Sequence, residues 1–182
     1  MKDYEVKLEI PEDVVVFFED KKVIVKKGSV QIERIFDLPR ISFVKEGNEI
    51  TIKYTKGNKR HETILNSISK HIKNMVLGLN KPFIYKLKVC SSHFPMSASV
   101  KGEELIVKNY YGERVPRVLK IPKDVKVKVN GDEIEVSSVY VEKAGNFASN
   151  VEKLAQRSNY DNRIFQDGIY MISKKMWLLW VF

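Results

Sequence analysis

The apolar positions of this chain change rhythm twice, in the same order. Short runs rich in β-branched and aromatic residues come first, at 14–18, 22–26, 30–36, 41–44 and 49–54, separated by turn-forming clusters. Glu19-Asp20-Lys21 closes the first pair as a hairpin, Gly28 permits the next turn, and Glu46-Gly47-Asn48 joins the last pair. Short strands joined by tight turns predict an antiparallel sheet. From His61 the period lengthens: Ile64, Ile68, Ile72, Met75 and Val76 recur at helical spacing, and Gly78 is placed to end the helix. One helix laid on one face of such a sheet makes an α+β unit.

Beyond Asn80 the order repeats, with strand-like runs at 97–100, 104–109, 115–121, 125–129 and 133–141, then a helix starting at Gly145-Asn146 that carries Phe147, Val151, Leu154 and Ala155 on one side. The two halves align. At a lag of about 83 residues, the VIVKKG that starts at Val23 meets the LIVKNY that starts at Leu105. Lys45 to Ile50 meets Val129 to Ile134, and Ile64, Ile68 and Ile72 meet Phe147, Val151 and Ala155. Only two units of this length exist, which argues against a solenoid and for duplication of a small domain. The expected fold class is α+β, as two tandem duplicated domains, 1–80 and 81–182, each an antiparallel sheet packed against one helix. The boundary falls at 79–83, which holds Asn80 and Pro82 and is too short for a free linker.

Composition fits this picture: 182 residues with 43% hydrophobic content support two limited cores. Charge adds a partner. Lys and Arg number 32 against 23 Asp and Glu, a net charge of +9, which favours a polyanion. Through Asn80 there are 15 basic and 12 acidic residues, and after it 17 and 11, so the second half is the stronger candidate for anion binding. Within it, Lys126-Val127-Lys128-Val129 alternates lysines with valines, following Arg117, Lys120 and Lys123; a lysine-protected sheet edge and a phosphate-contacting face both fit that pattern.

Cys90 is the only cysteine, so neither an internal disulfide nor a cysteine-based zinc site is expected. The charged N-terminal stretch lacks the apolar core of a secretory signal, which places the chain in the cytoplasm. At the other end, Trp177-Leu178-Leu179-Trp180-Val181-Phe182 is too short to cross a bilayer that needs about 20 residues. It reads either as a segment packed on the protein's own surface or as a hydrophobic dock for a neighbouring macromolecule, which would make the chain a basic protein-interaction module.

Catalytic signatures are missing from the sequence. His61, His71 and His93 have no metal-like spacing, and there is no HExxH, GxSxG or glycine-rich phosphate loop. No catalytic residue, metal, cofactor or small-molecule substrate is expected, and His71 reads as a packing residue beside the helix stripe. More telling is the stretch from Arg157 to Tyr170, which mixes guanidinium groups, amides, glycine and aromatics. Arginine grips phosphate in a forked geometry, amides read 2′-hydroxyls or base edges, and tyrosine stacks, so the mixture suits RNA. A self-packed terminal extension with Phe165 and Ile169 buried is compatible with it.

Four stretches then carry a specific resemblance: Tyr85-Lys86-Leu87-Lys88-Val89 running into Ser92-His93-Phe94-Pro95-Met96; Asn109-Tyr110-Tyr111-Gly112-Glu113-Arg114-Val115-Pro116-Arg117; Glu142-Lys143-Ala144-Gly145; and Phe165-Gln166-Asp167-Gly168-Ile169-Tyr170. Looser matches lie at Val25-Lys26-Lys27-Gly28 and along His71 to Gly78. Together they resemble the large-subunit ribosomal protein six family in its archaeal form, whose eukaryotic counterpart is numbered nine. The resemblance implies a duplicated α+β fold and a structural, non-enzymatic protein of the large ribosomal subunit. Its implied partners are the large-subunit rRNA, near the sarcin-ricin region and the stalk base, and neighbouring ribosomal proteins, with no membrane. The RNA-binding candidates it implies are Lys143 and Asn146 at the start of the second helix, Arg157 and Arg163 after it, and Gln166, Asp167, Gly168 and Tyr170 in the closing motif. Charge and location alone add Arg114, Arg117, Lys174 and Lys175. One departure stands out: after Gly28 the family continues with a proline and a basic residue, whereas Ser29-Val30-Gln31 follows here, which weakens the case for a contact by that loop.

Overall fold

The computed structural model describes residues 2–11, 13–19, 22–28, 30–36, 39–159, 161 and 163–175. The apolar run from Trp177 to Phe182 lies outside them, and both readings of it stand as the sequence left them. The chain divides into two compact units, Met1–Lys81 and Pro82–Phe182.

The first unit holds β1 (Lys2–Glu9), β2 (Val15–Glu19), β3 (Lys22–Lys27), β4 (Val30–Ile35), β5 (Ile41–Glu46), β6 (Glu49–Gly57) and α1 (Lys59–Asn80). Its strands form two three-stranded antiparallel sheets, ordered β1-β6-β5 and β2-β3-β4. Helix α1 lies against strands of both sheets. The shared core is made by Val23 and Val25 of β3, Ile50 and Ile52 of β6, and Leu65, Ile68 and Ile72 of α1, all buried. Strand alternation and helical period point at one another here, which is the local consistency a small core needs.

The second unit repeats the plan with β7 (Phe83–Cys90), β8 (Ser97–Lys101), β9 (Glu104–Lys108), a short 3-10 turn at Tyr110–Gly112, β10 (Arg117–Lys120), β11 (Lys126–Asn130), β12 (Glu133–Ser138) and α2 (Val141–Leu154). A final strand, β13 (Gly168–Lys175), follows. The three-stranded sheet is β10-β9-β8, and the other has four strands, β11-β12-β7-β13. Leu105 and Val107 of β9, Ile134 and Val136 of β12, and Phe147, Ala148 and Val151 of α2 fill the core, at the positions the repeat assigns to their first-unit counterparts. The glycines of the two matching hairpins, Gly47 and Gly131, both sit in the left-handed region at φ 61 and 59, where a side chain is strained.

The α+β class and the tandem duplication hold, with two sheets per unit in place of one. Several boundaries differ for physical reasons. Helix α1 runs through Gly78, which is buried, and stops where Lys81 takes an extended conformation before Pro82, a position the proline ring keeps out of helical geometry. It starts earlier than His61, because Asn58 caps it: the Asn58 side chain accepts from Arg60 N and His61 N, and His61 Nδ1 accepts from Asn58 N at 3.1 Å. Helix α2 begins at Val141, one turn before Gly145-Asn146. Gly145 is a packing residue inside it, since a Cβ there would lie 3.2 Å from the Tyr85 hydroxyl. Lys2–Glu9, dense in charge, is a strand whose alternate residues turn inward, with Leu8 buried. His71 packs near Phe36 at a ring separation of 6.4 Å.

Candidate nucleic-acid interface

Strand β13 pairs antiparallel with β7, so Gly168 lies opposite Cys90 and Tyr170 opposite Lys88. That pairing brings the closing motif beside the loop that follows β7. The junction is made by Asp167, which is 5% exposed. Its carboxylate accepts from Ser92 N at 2.7 Å, Ser92 Oγ at 2.5 Å, His93 N at 3.1 Å and the His93 Nδ1 nitrogen at 3.2 Å. Burial pushes this carboxyl up, but the hydrogen bonds from Ser92 and His93 outweigh it and hold the group well below the usual carboxylate range. Serine, histidine and aspartate meet here without the order of a hydrolytic relay: Ser92 Oγ and the His93 Nδ1 nitrogen both address the same carboxylate oxygen, and the imidazole does not stand between the other two.

A second knot orders the neighbouring loop. Asn109 and Tyr111 both have positive φ, 59 and 48, and Asn109 Nδ2 donates to the Pro95 carbonyl at 2.9 Å. This buries Tyr110 and turns Tyr111 toward Phe165 and His93, at ring separations of 6.0 and 6.2 Å. His93 stacks on Phe165 at 5.7 Å. Positive φ at a bulky aromatic residue is strained, and such strain persists only where the surroundings over-determine it. Arg117 supplies part of that constraint. Its guanidinium binds Glu113 in a fork, at 2.8 and 2.7 Å, donates to the Leu154 and Gln156 carbonyls at 2.6 and 3.1 Å, and lies 4.2 Å from the Tyr110 ring centre. The Arg117 hydrogen bond lowers the Glu113 carboxyl, and Glu113 in turn raises Arg117. Arg117 therefore caps the carbonyl end of α2 while its charge is matched by Glu113.

Two depressions flank the closing motif. The larger, of about 780 Å³, is lined by Tyr110, Tyr111, Gln156, Arg157, Phe165 and Tyr170 among others. The smaller, of about 500 Å³, is lined by Lys88, Ser92, Gln166, Asp167 and Tyr170 among others. Tyr170 borders both and is 48% exposed. Its hydroxyl donates to the Gln166 carbonyl at 2.9 Å, and Gln166 Nε2 donates to the Arg163 carbonyl at 3.2 Å. Gly168 lets the ring lie close: a Cβ there would sit 3.2 Å from the Tyr170 ring and 3.2 Å from the Ala155 carbonyl.

Of the twelve residues expected at the site, Arg157, Gln166, Asp167, Gly168 and Tyr170 come together here, with exposed Arg163 next to them. Asp167 and Arg117 face inward and organise loops. Lys143 and Asn146 are exposed in the first half of α2, about 16 and 12 Å by helical rise from Leu154 at its far end, beyond which Arg157 lies. Lys143 pairs with Asp124 and lies 4.2 Å from the Tyr140 ring centre. Arg114 is exposed in the loop before β10, Lys174 lies 5.6 Å from the Tyr85 ring centre, and Lys175 ends β13. Sequence reading passed over Lys88, Tyr111 and Phe165 as site residues. The alternation of Tyr85-Lys86-Leu87-Lys88-Val89 marks Lys88 as outward-facing, but no sequence signal sets it opposite Tyr170.

Among the described residues, no helix is long and apolar enough to cross a membrane, and no group of three or more His, Cys, Asp or Glu residues is placed to hold a metal ion. A family model described as ribosomal protein L6 matches residues 94–168, which take in the loop around Tyr110 and Tyr111 and run to Gly168. Over its greater length the chain is similar to proteins named large ribosomal subunit protein uL6. It is 36% identical to that of Methanococcus vannielii over 167 residues, covering 92% of each chain. With that of Methanosarcina mazei it shares 35% identity over 92% of this chain and 95% of the relative, and with that of Ignicoccus hospitalis 33% over 93% and 94%.

Proposed function

This chain belongs to the ribosomal protein L6 family, and on that premise we propose that it is a structural, non-catalytic protein of the large ribosomal subunit that binds the large-subunit rRNA through its second unit. Likeness along more than nine-tenths of the chain is the observation that carries this reading. The rRNA region it meets is the one near the sarcin-ricin region and the stalk base, beside neighbouring ribosomal proteins, in the cytoplasm. The contacts fall to Arg157, Arg163, Gln166 and Tyr170, with Lys143, Asn146, Arg114, Lys174 and Lys175 meeting phosphates farther out. Asp167, Gly168 and Arg117 act beneath that surface, by holding it in shape.

Charge and chemistry support the assignment. A net charge of +9 suits phosphate neutralisation, and amides with an exposed tyrosine suit the base edges and 2′-hydroxyls of irregular RNA. The test is binding of the full chain to large-subunit rRNA fragments and to a shuffled RNA across a salt series. The expected result is selective binding whose logarithm falls linearly with that of the salt concentration, with a slope of roughly 0.7 to 0.9 per phosphate neutralised. Equal affinity for both RNAs, or affinity indifferent to salt, would overturn it.

A further inference from the structure

We infer that the closing motif takes single-stranded RNA, with one extruded nucleobase stacked on Tyr170 and the phosphates on either side met by Arg157 and Lys88. This rests on the rRNA-binding reading above and specifies the form of RNA that the site accepts. Three observations carry it. The Tyr170 ring is fixed before any ligand arrives: its phenol end lies against the Cβ-less Gly168, its hydroxyl is tied to the Gln166 carbonyl, and nearly half of the residue stays exposed. An aromatic face held in place is what sequence-tolerant base stacking needs, because little conformational freedom is lost on binding.

Cations stand on both sides of that ring. Arg157 lines the larger depression and Lys88 the smaller, while Tyr170 borders both. A strand crossing the tyrosine therefore meets a positive charge before and after the stacked base. Finally, two of the three acidic groups in these walls are engaged within the protein, while the third, Asp132, is exposed in the wall of the smaller depression that also holds Lys88. Asp167 is held by Ser92 and His93, Glu152 accepts from the Met171 backbone at 2.8 Å, and the carbonyl end of α2 is covered by Arg117. Elsewhere in the lining of the larger depression, Tyr111 and Phe165 with the polar Gln156 and Ser158 offer aromatic surface and hydrogen-bonding groups to a base.

The probe is a short uridine-rich single-stranded oligoribonucleotide carrying 5-iodouridine, which cross-links on irradiation to an aromatic ring stacked against it. It would be used with the full chain, with its Tyr170→Phe and Tyr170→Leu variants, and with a duplex of the same strand. The expected result is a cross-link mapped to Tyr170 by mass spectrometry, kept in Tyr170→Phe and lost in Tyr170→Leu. The leucine variant should bind the single strand roughly 5- to 100-fold more weakly, and the phenylalanine variant within about threefold of the parent. Tyr170 is exposed, so both variants should fold, and unchanged thermal unfolding checks this. Salt-sensitive rRNA binding with no link at Tyr170, or a leucine variant of parental affinity, overturns the stacking site and leaves the rRNA reading standing. Preference for the duplex overturns the site as well. Failure to bind any RNA overturns both.

Discussion

Replacing Asp167 with asparagine separates a loop-organising carboxylate from an incidental one. One oxygen takes Ser92 N, Ser92 Oγ and the His93 Nδ1 nitrogen, and the other takes His93 N. An amide placed with its oxygen toward Ser92 turns its NH2 against the His93 backbone N–H, donor against donor. Turned the other way, it sets that NH2 against the Ser92 backbone N–H. Either choice leaves at least one part-buried donor unmatched, at about 1–3 kcal/mol, and removes the charge that strengthened the remaining bonds. A total cost of about 3 kcal/mol follows, and with a urea m-value near 2 kcal/mol/M the unfolding midpoint of the second unit should fall by about 1.5 M. The acid limb provides the sign. The Asp167 carboxyl titrates lower in the folded state than its unfolded value of about 3.9, so its stabilisation is complete above that pH, shrinks below it, and is gone once pH passes the folded pKa. Urea titrations at a series of pH values should therefore show parent and variant far apart near neutrality and converging as pH drops from about 5 toward 2. A gap under about 1 kcal/mol at neutral pH, or one that does not narrow in acid, would refute the role assigned to these hydrogen bonds.

Arg117→Ala should destabilise the second unit by about 2–4 kcal/mol in the same assay, since it strips Glu113 of its partner and uncovers the end of α2, and Arg117→Lys should recover less than half because an ammonium lacks the fork. Gly168→Ala should cost about 1–3 kcal/mol, as its methyl meets both the Ala155 carbonyl and the Tyr170 ring; parental stability would mean that the ring does not lie close over the backbone. The joint Arg157→Ala and Arg163→Ala variant should keep its unfolding midpoint and lose roughly 10-fold or more in rRNA affinity, with a salt slope shallower by about 1 to 2. Unchanged affinity in that folded variant would move the phosphate contacts elsewhere.

What could be read from the sequence follows the range of the forces involved. Hairpins such as Lys45 to Ile50 and the stripe Ile68-Ile72-Met75 are set by neighbours a few residues apart, so periodicity exposes them. The duplication was legible because it repeats those local patterns. Gly78 and Gly145 misled as helix boundaries because glycine also occurs inside helices: Gly78 is buried within α1, and Gly145 lets the Tyr85 side chain lie close to α2. The closing motif was visible as composition, but its geometry depends on partners far away in sequence. Asp167 reaches Ser92 across 75 positions and Arg117 reaches Leu154 across 37. Arg117, named for its charge and location, and Asp167, implied by the resemblance, therefore have inward-facing partners, while Lys88 gains its place from a strand pairing that no local signal encodes.

That pairing also shows how two copies of one fold come to differ. In the first unit Leu8 pairs with Ile50 and Glu9 with Glu49; in the second Leu87 pairs with Ile134 and Lys88 with Glu133. The registers make Lys7 equivalent to Lys86, and both keep the same cross-strand ion pair, Lys7 with Glu49 and Lys86 with Glu133, each at 3.8 Å. Exposed pairs of this kind contribute little stability, so the shared contact is better read as a mark of common architecture than as a support. Two positions further along each strand the copies part: Glu9 is acidic and Lys88 is basic. On the far side of β7 the second copy adds β13, while β1 is an edge strand of its sheet among the described residues. One added strand brings Asp167 to organise the loop, Gly168 to admit the ring and Tyr170 to face Lys88. The chemistry suited to RNA thus comes from a difference of charge and a strand laid on an edge, with the plan of the duplicated core kept.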